Sequence, residues 1–436
     1  MTCPKSAIDL RLDGRQRCGK RRIEIAAAVE KRESARRMRL REIVALASFV
    51  MAFGCSEHAW AAPKLTTLFT FANLRGAAPS EGLIADNAGN LYGTAALGGA
   101  HDHGVAFELS PPAAGKRAWK EKVLVSFGGR KGDNPNSAFV ADSNGDFYGT
   151  ASGVAFELSP PVGDQKRWTR KTINTFKRAE VEFTTGRLVI DGAGNLFGTA
   201  SGGNNGLVYE LSPPGQGQTR WSVKVLHTFG GADGSDPQAG LMADTGGNLY
   251  GTTTLGGVYG NGVVFELSPP VAGQSAWTES VLHSFDGTDG ANPDADVMSD
   301  GAGNLFGTTV TGGANNDGVV FELSPPGAGH TVWTERVLYS FDGANGAEPL
   351  AGLITDGAGN LYGTTREGGA NNDGVIFELK PKAGPKAWSE AVLASFDGAN
   401  GSAPNGDLFV DNTGALYGTT STGGANGDGV AFKLTP

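Results

Sequence analysis

The chain has 436 residues, with 68 Gly, 21 Pro and only 19% charged residues at a formal net charge of −9. It is too rich in apolar and aromatic residues for a disordered chain, and its glycine content without a G-x-y triplet excludes collagen and predicts many tight turns. An acidic balance with no basic stripe outside the N-terminus argues against a nucleic-acid partner.

Residues 1–61 differ from the rest. They hold 13 of the 36 Lys and Arg, 7 of the 45 Asp and Glu, and all three cysteines, Cys3, Cys18 and Cys55. Arg36, Arg37, Arg39 and Arg41 precede an apolar run from Ile43 to Gly54, followed by Ala59-Trp60-Ala61. A basic flank, a short apolar stretch and a small-x-small site predict a secretory signal peptide cut after Ala61. Met38 is an alternative start. The run is shorter than the ~20 apolar residues a membrane span needs, so no transmembrane anchor is expected in the mature chain. Ala52-Phe53-Gly54-Cys55 is a poor lipobox, leaving a lipoprotein through Cys55 as a minor alternative, and a buried N-terminal helix is another. Cleavage would give a mature chain, 62–436, without cysteine or disulfide, exported to be secreted, periplasmic or at the cell surface.

From residue 64 on, one unit repeats. Gly-Asn-Leu-Tyr-Gly-Thr or a close variant recurs with its Gly-Thr at Gly93, Gly149, Gly198, Gly251, Gly307, Gly363 and Gly418, at intervals of 56, 49, 53, 56, 56 and 55. Each unit carries four short segments rich in β-branched and aromatic residues bounded by Gly, Asn, Asp and Pro, with no sustained helical period. We label them a (as in Gly-Leu-Ile-Thr-Asp), b (Leu-Tyr-Gly-Thr-Thr), c (Val-Ile-Phe-Glu-Leu) and d (Trp through Phe). Seven units of four strands predict an all-β, seven-bladed β-propeller of antiparallel blades. The chain's end supplies a c strand with no d after it, and its mature start supplies a d strand with no a, b or c before it. Residues 64–72 are therefore expected to pair with 429–435 and close the ring.

Residues shared by the units read as scaffold. An Asp ends every strand a (Asp86, Asp142, Asp191, Asp244, Asp300, Asp356, Asp411) with a Gly three residues on; it is expected to accept backbone N–H bonds two or three residues later and so build the a–b turn. Trp119, Trp168, Trp221, Trp277, Trp333 and Trp388 open six d strands and predict packing between blades. The Gly of Leu-Tyr-Gly-Thr predicts a close approach by another group. Asp-Gly-x-x-Gly-x-x-Pro and Gly-Gly-Ala-Asn-Asn-Asp-Gly are similar to calcium loops but lack the alternating ligands and terminal Glu of an EF-hand. Turn chemistry accounts for them; no cofactor is expected, with calcium left open.

The unit Asp-Gly-Ala-Gly-Asn-Leu-Tyr-Gly-Thr-Thr-x-x-Gly-Gly-Ala with Gly-Val-Val-Phe-Glu-Leu resembles the GloVer (gloeo/verruco) tandem repeat of exported bacterial proteins, over about 73–436. The resemblance implies an extracellular or surface location, and it transfers no activity or catalytic residue. A C-terminal anchor, frequent in that family, is not expected after Thr435-Pro436.

Candidate site residues lie where the units differ. The b–c loop of unit one carries His101, Asp102 and His103; unit two has lost its b–c loop; and the next d–a loop reads Lys177, Arg178, Ala179, Glu180. These are expected on one sector of one face, either as a ligand notch or as unconstrained loop variation. His-x-His could ligate zinc, but no further ligand is assignable. His227 and His283 stand where sister units have Tyr339 and Ala394 and are taken as strand residues. The channel is the other candidate, with Leu83, Ile84, Leu353 and Ile354 as its apolar lining and Arg187, Asp296 and Asp407 at one equivalent position near its mouth, where solvation is the favoured expectation. Without a nucleophile–base pair, the sequence favours a monomeric, non-catalytic binding scaffold for a protein or glycan. The alternative is a propeller enzyme of lactonase- or lyase-like type acting at the channel mouth.

Overall fold

A computed structural model describes residues 62–435 apart from 129–131, 177–183, 185, 204, 328–329 and 383–387. The expectations for residues 1–61, leader and cleavage site included, lie outside these residues, as do Lys177, Arg178 and Glu180. No helix among the described residues is long and apolar enough to cross a membrane.

The chain forms seven four-stranded antiparallel sheets, a seven-bladed β-propeller. In blade 4 the strands are Met242–Ala243, Leu249–Thr253, Val263–Ser268 and Thr278–Ser284, and every other blade repeats this order. Strand a is only two residues long in each blade, because the Asp behind it turns the chain at once. In blade 6, Asp356 Oδ1 accepts the N–H groups of Ala358 and Asn360 at 2.8 and 3.0 Å. Its Oδ2 accepts from Asn360 Nδ2 and the Tyr362 hydroxyl. The side chain thus serves residues two and four positions on. The N–H three positions on, from Gly359 at φ +82°, goes to the Asp356 carbonyl instead.

Burial concentrates between blades. The Phe of strand c (Phe107, Phe156, Phe265, Phe321, Phe377, Phe432) is fully buried. The Phe that ends the preceding d strand meets it edge to face, as in Phe285–Phe321 at 5.1 Å and Phe341–Phe377 at 5.2 Å. Each such pair contributes about 0.5–1.5 kcal/mol beyond its buried area. The Gly of Leu-Tyr-Gly-Thr makes room: a Cβ on Gly307 would lie 2.5 Å from the Phe321 ring. The d-strand tryptophans lie across blade boundaries, Trp221 on Tyr148 at 5.8 Å and Trp277 on Phe197 at 6.1 Å.

Ring closure follows the expected register. Lys64–Thr70 pairs antiparallel with Val430–Thr435, from Lys64 opposite Thr435 to Thr70 opposite Val430. Phe71 then donates its N–H to the Gly429 carbonyl and packs on Phe107 of blade 1 at 4.9 Å. The expected apolar lining of the channel differs. Leu83 and Leu353 are buried in the cores between blades, and Ile84 and Ile354 pack against neighbouring cores. The cause is the brevity of strand a, which leaves the residues before it to reach the axis.

Candidate functional site

Just ahead of each strand a, the d–a loops bring residues of one three-residue stretch to the channel mouth. In blades 1, 2, 4, 5 and 6 the middle one is held from the neighbouring blade, where the Thr of Gly-Thr donates its hydroxyl to that residue's carbonyl; Thr150 donates instead to the Thr184 carbonyl, and the Thr364 hydroxyl has no partner. The bonds run Thr94 to Ser137, Thr199 to Ala239, Thr252 to Ala295 and Thr308 to Ala351, at 2.6–3.2 Å. Thr419 of blade 7 does the same to Glu81 of blade 1 at 3.0 Å. Residues of this three-residue set from all seven blades line one cavity of about 240 Å³. Its charged members are Glu81, Arg187, Asp294, Asp296 and Asp407, with Asn136, Gln238 and Asn405 as amides.

The charges are not merely solvated. Arg187 Nη2 stands 3.6 Å from Asp296 Oδ2, and only 14% of the Asp296 side chain is exposed. Asp296 Oδ1 accepts the Gly240 N–H at 2.5 Å, and Asp407 Oδ1 accepts the Gly352 N–H at 2.7 Å. Each carboxylate leans over the glycine of the preceding blade. A Cβ on Gly240 would lie 2.8 Å from Asp296 Oδ1 and 2.6 Å from the Arg187 carbonyl oxygen.

Crowding shifts the carboxyl groups upward. Burial, with Asp407 and Asp296 nearby, pushes Glu81 to about 8. Burial and Asp407 raise Asp296 to about 7, against the opposing pull of Arg187 and the Gly240 N–H. Burial raises Asp294 to about 6. Asp296 in turn holds the Arg187 guanidinium in its charged form. Near neutral pH the mouth therefore offers a carboxyl O–H, ionised carboxylates, amides and a guanidinium within one small volume. None of the lining residues is aromatic.

The structure brings Arg187, Asp296 and Asp407 together, and it adds Glu81 and Asp294, which comparison of a single loop position misses. Glu81 stands where other units have Ser, Gly or Ala, and Asp294 where they have Ser, Asn, Thr, Gln or Leu. Comparing all three loop positions across the units would have found both.

The histidine loop is built differently. His101 occupies the place of Asn315 and Asn371, which fasten their loops to the Phe341 and Phe396 carbonyls. It packs against Gly128, whose Cβ would fall 2.5 Å from the ring. Asp102, at φ +58°, accepts the Gly98 N–H just as Asn316 accepts that of Gly312. His103 is 44% exposed and faces Asp133 at 3.5 Å. The loop's polar groups thus point to separate partners rather than to a common centre.

A profile of the Gloeobacter/Verrucomicrobia repeat matches residues 151–335 and, overlapping it, 274–436. None of the curated proteins matches the sequence. Among solved structures, the extracellular domain of a protein named as a hybrid two-component system of B. thetaiotaomicron aligns at TM-score 0.47 and 14% identity, covering 86% of this chain and 41% of its own. A second such domain from the same organism aligns at 0.50 and 11%, covering 85% and 39%. The PQQ-bound aldose sugar dehydrogenase of Streptomyces coelicolor aligns at 0.45 and 12%, covering 86% and 98%. The chain spans about two fifths of the length of the first two. At these identities the likeness is one of fold.

Proposed function

The chain belongs to the Gloeobacter/Verrucomicrobia repeat family, and from that premise we propose that it is an exported binding propeller that takes the hydroxyl-rich end of a glycan at its channel mouth. Export is supported by the basic flank, apolar run and small-x-small site in residues 36–61. The site is supported by one observation above all: loop residues from all seven blades converge on a cavity of about 240 Å³ whose charged and amide side chains donate and accept hydrogen bonds. Carboxylates and amides accept and donate to sugar hydroxyls, and Arg187, 46% exposed beside Asp296, would donate to them as well. Without an aromatic platform, hydrogen bonds rather than stacking would hold the ligand.

A glycan array on the protein, with and without calcium, tests this directly. A defined sugar should bind wild type and bind Asp407→Asn at least about tenfold more weakly, the loss of one charged hydrogen bond. No sugar bound, or equal affinity in the variant, refutes the site; capture of a protein partner by both forms would move recognition to another face. A second reading, catalysis at the same mouth, draws on one feature: Glu81 held protonated near neutral pH beside ionised carboxylates is an acid–base pairing. Turnover of a lactone, abolished by Glu81→Gln, would establish it.

A further inference from the structure

The outer strands of adjacent blades meet at one recurring place. It is built from the residue two before the Phe that ends a d-strand segment, the fifth residue of the following d–a loop counted from that Phe, and the third residue of the next d strand counted from its Trp. Between blades 7 and 1 these are Phe69, Arg75 and Glu121, and Arg75 pairs with the buried Glu121 carboxylate at 3.5 Å. Between blades 5 and 6 they are Tyr339, Asn345 and Glu390, and Asn345 Nδ2 donates to the Tyr339 hydroxyl at 2.8 Å.

Between blades 3 and 4, and again between blades 4 and 5, the set changes character. His227, Asp233 and Glu279 form the first group, and His283, Asp289 and Glu335 the second; in each, one ligand atom per residue lies within 4.8 Å of the other two. His227 Nε2 is 2.9 Å from Asp233 Oδ2, and His283 Nε2 is 2.8 Å from Asp289 Oδ2. One carboxylate oxygen of Glu279 and one of Glu335 are buried with no hydrogen-bond partner, as are those of Glu121 and Glu390 at the sister places, so what sets these two groups apart is the imidazole and second carboxylate beside the glutamate. Where blade 1 sets a cation against its glutamate, these places set two carboxylates and an imidazole, with neither Lys nor Arg in the set.

We propose that the two His–Asp–Glu groups are equivalent divalent transition-metal sites that brace blade 3 to blade 4 and blade 4 to blade 5. One imidazole nitrogen and two carboxylate oxygens suit Zn²⁺ and its neighbours, which bind such ligands at ~2.0–2.2 Å. Two ligands at that range subtending ~90–109° lie ~2.9–3.5 Å apart, so each His–Asp pair needs little movement to chelate. The glutamate arrives from the next blade, which is why an ion here would tie two blades together. About a fifth of each histidine side chain is exposed, which leaves a path for the ion and for a water as further ligand.

The test is calorimetric titration of chelator-stripped full-length protein with zinc chloride, beside His227→Tyr/Asp233→Asn, His283→Tyr/Asp289→Asn and the quadruple variant. These substitutions copy the Tyr339–Asn345 arrangement the fold already tolerates, and circular dichroism confirms that each variant folds. Wild type should bind two zinc ions per chain, each double variant one and the quadruple variant none, with zinc raising the unfolding temperature only where a site remains. Absence of binding in wild type, or unchanged stoichiometry in the folded quadruple variant, overturns the proposal.

Discussion

Glu81→Gln isolates the electrostatics of the channel mouth, because Gln keeps the shape and the acceptor that Ser80 addresses at 3.4 Å while removing the charge. The Glu81 carboxyl titrates at 4.5 when unfolded and at about 8 in place. Between those pH values the folded protein holds a proton that the unfolded chain has released, so stability falls as pH rises. It is unaffected by this group below 4.5, and the loss is complete above about 8. At ~1.4 kcal/mol per pH unit the full loss is about 3–5 kcal/mol. Urea unfolding followed by tryptophan fluorescence at pH 5, 7 and 9 reads it. Wild type and Glu81→Gln should agree within about 1 kcal/mol at pH 5 and diverge to about 3–5 kcal/mol at pH 9, the variant being the more stable. Parallel stability curves for the two proteins would refute the upward shift of Glu81 by burial and by the nearby Asp407 and Asp296.

Arg187→Ala should act with the opposite sign: losing the partner of Asp296 costs about 1–2 kcal/mol above pH 7, discounted for the exposed guanidinium, and steepens the fall of stability with pH in the same urea series. Phe71→Ala should cost about 3–5 kcal/mol by emptying a fully buried site on the closing strand; deletion of 64–72 should lower the calorimetric midpoint further, and an unchanged midpoint would dismiss the clasp. Gly307→Ala places a methyl 2.5 Å from the Phe321 ring and should cost about 1–3 kcal/mol in urea unfolding. Asp356→Ala removes an acceptor of two backbone N–H groups and should cost about 1–2 kcal/mol. Hydrogen bonds from Asn360, Ala358 and Tyr362 hold this carboxyl below its ordinary range despite partial burial, so its contribution is present at neutral pH and lost as pH falls through the acid range.

The ring was legible because a repeat states its own frame. An unpaired d pattern at Leu65–Phe71 and an unpaired c pattern at Val430–Thr435 leave one antiparallel pairing, and the register from Lys64–Thr435 to Thr70–Val430 follows it. The Asp turn was legible as a role but not in its reach, since the bond skips to the residue four positions on where Asn360 also lends its side chain. The mouth was half legible. Arg187, Asp296 and Asp407 share one loop position, while Glu81 and Asp294 sit one and two residues earlier, and only a two-residue strand a brings all three positions to the axis. The histidine groups were hidden for another reason. Asp233 lies six residues past His227, but Glu279 lies in the next repeat, so no local spacing joins them. Taking His227 and His283 as strand residues was right about their place in the sheet and silent about the carboxylates across the blade boundary.

The asymmetry of the mouth follows from packing. Asp296 and Asp407 reach the N–H groups of Gly240 and Gly352 by occupying the space a Cβ would take, 2.8 and 3.0 Å from the carboxylate oxygens. Asp407 also crowds Gly82, where a Cβ would lie 3.2 Å from its own Cβ. An aspartate at this position therefore takes a glycine on the neighbour it leans over, whereas Arg187 follows Ala138, and seven identical aspartates cannot be accommodated. The observed order Gly82, Ala138, Arg187, Gly240, Asp296, Gly352, Asp407 alternates small and charged residues as far as an odd number of blades permits. Unconstrained loop variation would have no reason to place glycine beside each carboxylate. The alternation packs acidic side chains and one guanidinium into one cavity; if the proposed glycan binds there, Gly352→Ala, which denies Asp407 its resting place, should weaken its affinity more than the same change at the exposed turn residue Gly357, whose Cβ would meet nothing within 4 Å.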